Sequence, residues 1–99
     1  MTRTAAVSRE TAEILAIQAL AFIAEEPERL DAFLAVTGLA SDAIRKAARQ
    51  PGFLAGVLDH MLDDESLLVA FAGGAGIDPA TVAQARRALG SAIWERDLP

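Results

Sequence analysis

The sequence predicts an all-α protein, a compact bundle of five or six short helices. Three observations carry that reading. Alanine, the strongest helix former, supplies 22 of the 99 residues. β-Branched and aromatic residues are sparse, which leaves little from which to build strands. Helix punctuation also recurs: Ser8, Ser41, Asp64 and Asp78 stand before apolar-periodic segments. Pro27, Pro51 and Pro79 stand at first turns, and Gly38 and Gly76 at helix ends.

Taken in order, Ser8 caps a first helix that reaches Glu26. Its residues Ile14, Leu15, Ile17, Leu20, Phe22 and Ile23 surround the axis, so it reads as a central, buried helix. Pro27 opens a second helix with Leu30, Phe33, Leu34 and Val36 inward, closed by Gly38. Ser41 caps a third, with Ile44, Ala47 and Ala48 inward and Arg45, Lys46 and Arg49 outward. Pro51 begins the fourth, where Phe53, Leu54, Val57, Leu58, Met61 and Leu62 fill half the helical wheel. Gly52 and Gly56 on it predict a close helix approach. Asp64 caps a fifth helix carrying Leu67, Leu68 and Phe71. "GIDPA" then restarts a sixth that buries Val82, Ala85, Leu89 and Ile93. Residues 1–99 read as one domain, with frayed tails over 1–8 and 95–99.

Offsetting the chain by 38 residues pairs Leu20 with Leu58, Leu30 with Leu68, Phe33 with Phe71 and Gly38 with Gly76, among others. Duplication explains this, and so does convergence, because caps and Ala-rich helices draw on few residue types. Either way the expectation is two pseudo-repeated three-helix units in one bundle. The segments "ALAFIAEEPERLDAFLAVTGL", "FLAGVLDHMLDDESLLVAF" and "GIDPATVAQARRALG" resemble a small all-helical family of alphaproteobacterial proteins of uncharacterised function. The resemblance covers residues 15–90. It implies a compact helical domain of a bacterial cytoplasmic protein and supplies no activity and no catalytic residues.

Several functional classes find no footing. Without Cys there is no disulfide framework and no Cys-based zinc site. The longest nearly apolar run, "ILAIQALAFIA", is about half of what a membrane span needs, so no membrane association is expected. The glycines from Gly73 to Gly76 follow no strand and precede no Lys-Ser/Thr, so they form no phosphate loop. Ser8, Ser41, Ser66 and Ser91 find no histidine-acid partnership. His60 has Asp59, Asp63 and Asp64 nearby, yet it takes the place of Phe22 in the offset and reads as a residue at the core boundary, bonded to a carboxylate. The acids before each helix are explained as caps and by the helix dipole. No catalytic, metal-binding or cofactor-binding set is therefore expected.

Two functional expectations remain. The first is a small acidic cytoplasmic protein, net charge −5, acting as a non-enzymatic module that binds another protein or a second copy of itself. Trp94, packed back on the bundle or exposed as an anchor, and the basic face of the third helix are its candidate contacts. The second is a DNA-reading helix-turn-helix at the Gly38 or Gly76 corner. Leu34, Gly38, Ile44 and Ala47 have the spacing for it, as do Ala72, Gly76, Val82 and Ala85. Arg45, Lys46 and Arg49 would face DNA in the first case, and Gln84, Arg86 and Arg87 in the second. The overall acidity and the acids on the first helix of each pair weigh against it.

Overall fold

Ser8 sets the start of α1 (Arg9–Ala24) as its sequence predicts. Its hydroxyl accepts from the Thr11 N–H at 3.1 Å, satisfying one of the donors that a helix start leaves unpaired. The computed structural model describes the backbone of residues 7–97 and the side chains of residues 7–40, 42–50 and 52–89. α1 buries Ala12, Leu15, Ala16, Ala19, Leu20 and Ile23 along one face. Its opposite face is open: Ile14 is 53% exposed and Ile17 48%. This corrects the expectation of a helix buried all round. A chain this short supplies too few helices to enclose a central one.

α2 (Pro27–Thr37) ends on Gly38 in the left-handed region, φ 74°, whose N–H reaches the Leu34 carbonyl at 2.8 Å. Phe33 alone is fully buried on it, and Val36, expected inward, is 73% exposed. The expected third helix is reduced to a 3-10 turn over Ser41–Ala43 and a four-residue α3 (Ile44–Ala47). Gln50, held extended ahead of Pro51, stops it early. The side chain of Ser41, the expected cap, lies outside the described residues.

α4 (Pro51–Leu62) buries Leu54, Ala55, Val57, Leu58 and Met61. The Asp64 carboxylate caps α5 (Glu65–Ala75) by accepting from the Leu67 N–H at 3.2 Å. α5 closes on Gly76, φ 71°, with the Ile77 N–H returning to the Ala72 carbonyl at 3.0 Å. Asp78 then accepts from the Ala80 N–H at 2.9 Å and opens α6 (Pro79–Asp97). The α6 backbone stays helical through Gly90 to Asp97, past the tail expected from Glu95. Ile93, expected inward, lies outside the described side chains.

The core is the mutual packing of α1, α4 and α6. Ala12, Ala16 and Ala19 on α1, Ala55 on α4 and Ala85 on α6 are all buried, so small side chains line the contacts. α2 leans on α1, and α5 leans on α4 and α6. The expected close approach at the α4 glycines is not found. Gly52 is exposed, and a Cβ at Gly56 would meet nothing within 4 Å.

The 38-residue offset carries into three dimensions for the second element of each half, since α2 moves onto α5 end for end. The ring contacts follow as well. Phe33 meets His60 edge-on with centroids 5.2 Å apart, and Phe71 meets Phe22 at 5.5 Å. Under the offset Phe33 corresponds to Phe71 and Phe22 to His60, so the two contacts are reciprocal, as across a two-fold axis. The third elements differ, four residues in α3 against nineteen in α6.

Two glycine substitutions separate these roles. Gly38→Ala puts a Cβ on a left-handed residue and is expected to cost about 1–2 kcal/mol. Gly56→Ala, mid-helix with open space, should stabilise by about 0.5–1 kcal/mol. Urea denaturation of both variants checks this, and a loss of stability at Gly56 would contradict the packing described.

Candidate functional site

Phe22, near the end of α1, is the residue around which one surface depression forms. On one side the Phe71 ring of α5 tilts against it at 59°. On the other, the Arg29 guanidinium of α2 lies 4.2 Å from the ring centroid and donates to the Phe22 carbonyl at 3.3 Å. That places a cation at the C-terminal, negative end of α1, where no basic residue of α1 itself stands. The rings hold α1 and α5 together through side chains and leave an open groove of about 360 Å³ between them. Gln18, Ala21 and Glu25 line it from α1, and Gly74 and Ala75 from α5.

The groove is open because of those small residues. Under the 38-residue offset, Gly74 and Ala75 correspond to Val36 and Thr37 on α2, which are bulkier. Two exposed apolar surfaces lie on the same helices. On α1, Ile14, Ile17 and Ala21 follow one another at helical spacing along the uncovered face. On α5, Val69, 55% exposed, and Ala70 share a second depression with Glu65 and Ser66. The first continues into the groove through Ala21, whereas the second is separate from it, since Val69 stands about 160° round α5 from Phe71.

The residues singled out in the sequence are distributed differently. Arg45, Lys46 and Arg49 are exposed on and just after the four-residue α3. Arg86 is committed elsewhere, its Nε donating to Asp59 Oδ1 at 2.6 Å, while Arg87 is exposed. Gln84 is half-buried. The side chain of Trp94 lies outside the described residues. Among the described residues His60 has no bond to a carboxylate, contrary to expectation: it sits half-buried edge-on to Phe33, and Asp64 spends its oxygen on the Leu67 N–H. Among the described residues, no group of three or more His, Asp or Glu side chains gathers as a metal cage.

Around Gly76 the geometry has one helix-turn-helix trait, since α5 and α6 meet at 102°. In such units the N-terminal residues of the second helix reach the bases. Here they are Pro79, Ala80 and Thr81, preceded by Asp78, and α6 is packed between α1 and α4. Around Gly38 the second helix has only four residues. No single helix among the described residues is long and apolar enough to cross a bilayer. α5 and α6 reach that length only as the bent pair.

Sequence reading missed the groove and the open face of α1. It treated Phe22 and Phe71 as core and α1 as enclosed. The available signal was the pair Gly73-Gly74 in the last turn of α5, where α2 carries Ala35 and Val36.

These features define a small all-helical bundle with an open groove between α1 and α5. The chain matches, over residues 9–92, the family described as "Protein of unknown function (DUF3572)", and it belongs to that family. No curated protein and no solved structure matches it.

Two contacts here have measurable weights. Arg29→Ala should cost about 0.5–1 kcal/mol through its loss from the Phe22 ring. For Asp59 and Arg86, with side chains 53% and 25% exposed, a double-mutant cycle is expected to return a coupling of about 0.2–1 kcal/mol that shrinks in salt. A coupling unchanged by salt would contradict the exposed geometry.

Proposed function

We propose that the protein is a non-enzymatic protein-protein interaction module of the bacterial cytoplasm. The observation that carries this is the exposed apolar stripe of α1 beside the Phe22–Phe71 groove. Ile14 and Ile17 are each about half exposed, and Ala21, next on their stripe, lines an aromatic groove. Scattered single apolar residues need no explanation, but a contiguous patch beside a groove is the usual mark of a binding surface. The chemistry of the other candidates supports a non-enzymatic role. His60 is wedged on Phe33, and Asp64 and Asp78 serve as caps. The matching boundaries of α2 and α5 and the reciprocal ring contacts support reading the two halves as copies of one helical unit.

A second reading, DNA binding, draws on the 102° corner at Gly76 and on the exposed Arg45, Lys46 and Arg49. It is the weaker one. The first turn of α6 carries no cation, Arg86 is paired with Asp59, and the protein is acidic overall. Trp94 remains a candidate anchor on the strength of the sequence.

Photocrosslinking in living cells tests the reading. A benzophenone amino acid at position 17 or 69 is expected to give a discrete protein adduct, and one at exposed position 42 should give none. Trp94→Ala should leave the adducts in place. Absence of adducts at 17 and 69 would overturn the proposal. Duplex DNA of mixed sequence should show no shift at physiological salt, whereas a salt-dependent shift removed by Arg45→Ala and Arg49→Ala would favour the second reading.

A further inference from the structure

The last turn of α5 forms part of one wall of the groove, and α2 supplies a matched reference for how firmly that wall is held. Under the 38-residue offset, Gly73, Gly74, Ala75 and Gly76 stand where α2 has Ala35, Val36, Thr37 and Gly38. Both turns are exposed throughout, and both close on a left-handed glycine. We infer that the α5 turn is a hinged wall: it opens and recloses while the rest of the bundle stays folded, and the groove widens and narrows with it. This concerns the same groove as the interaction reading above but does not rest on it.

Three differences from α2 carry this. The Thr37 hydroxyl donates to the Phe33 carbonyl at 3.0 Å and accepts from the Leu39 N–H at 3.3 Å, so it ties the end of α2 to residues on either side. Ala75, in its place, has no hydroxyl. Gly73 and Gly74 have lower helix propensity than Ala35 and Val36, because ordering a glycine costs more backbone entropy. Packing does not require these glycines, since a Cβ at either would meet nothing within 4 Å. The closing bonds differ as well. The Gly38 N–H meets the Leu34 carbonyl at 2.8 Å, whereas the Gly76 N–H is shared between the Ala72 and Gly73 carbonyls, the latter at 3.4 Å. The hinges are set by what lies outside the turn. Phe71 and Ala72 are buried, and Ile77 is half-buried with its N–H on the Ala72 carbonyl at 3.0 Å. The chain is thus pinned at Ala72 and Ile77 and held between them by little besides backbone. Gly74 and Ala75 line the groove beside Phe71. Opening of the turn therefore withdraws the wall and leaves the Phe22–Phe71 ring pair in place.

Native-state hydrogen exchange followed by NMR tests this on the full chain. After correction for intrinsic rates, the Gly76 amide should exchange at least about tenfold faster than the Gly38 amide. Its rate should stay flat in low urea, because a local opening exposes little surface, while the rate of the buried Leu58 rises with urea. Gly73→Ala and Gly74→Ala should each slow Gly76 by about two- to fivefold. Gly56→Ala, on α4, should leave the Gly76 rate unchanged. Thr37→Val keeps the branched shape without the hydroxyl and should speed Gly38 by about two- to tenfold. Equal protection of Gly76 and Gly38 would overturn the inference. So would a Gly76 rate that climbs with urea in step with Leu58, since the turn would then open only with the whole fold. A Gly76 rate unmoved by both glycine substitutions would overturn it too. Crosslinks at position 17 in cells alongside a protected Gly76 would leave the interaction reading standing on a rigid groove.

Discussion

Close packing of α1, α4 and α6 through alanine is the constraint on which the rest of the structure depends. Ala12, Ala16, Ala19, Ala55 and Ala85 contribute little apolar area each, and their gain is proximity. Helices that approach closely let the larger side chains between them, Ile23, Leu58, Met61, Val82 and Leu89, be fully excluded from water. Three helices packed in this way form a core with two flanks. α2 and α5 close the flanks, each delivering a fully or nearly fully buried phenylalanine, Phe33 or Phe71.

The flanks are closed unequally, and that inequality produces the candidate site. Val36 and Thr37 end α2, whereas Gly74 and Ala75 end α5. The smaller pair leaves the space beside Phe22 unfilled. α1 meanwhile has no neighbour over Ile14 and Ile17. The high apolar fraction of the chain is therefore only partly spent on its own core. The remainder stays on the surface, as Ile14 and Ile17 on α1, Val36 on α2 and Val69 on α5.

Most of the fold was legible in the sequence because capping is local chemistry. Ser8, Asp64 and Asp78 accept the hydrogen bonds that their positions imply, and Gly38 and Gly76 take the positive φ that only glycine adopts cheaply. Burial was less legible, since periodicity identifies an apolar residue but not whether a neighbour covers it. Ile14, Ile17 and Val36 were misplaced for that reason. The third helix was overextended because the stop imposed by Pro51 on Gln50 competes with good helix formers at Ala47 and Ala48. The groove was invisible for a further reason: it is a space between α1 and α5, defined by what two distant segments leave empty.

The reciprocal ring contacts have a consequence for how the chain comes to be folded at all. Phe33 finds Phe53 and His60 only after α4 has been made, and Phe22 waits for Phe71 on α5. During synthesis, then, the emerging first half carries two aromatic rings whose ring partners are still to be made, with Arg29 of α2 at hand for Phe22 alone. Neither half can be finished in isolation. Until α4 and α5 follow, the rings of the first half present the kind of apolar surface that a chaperone would encounter.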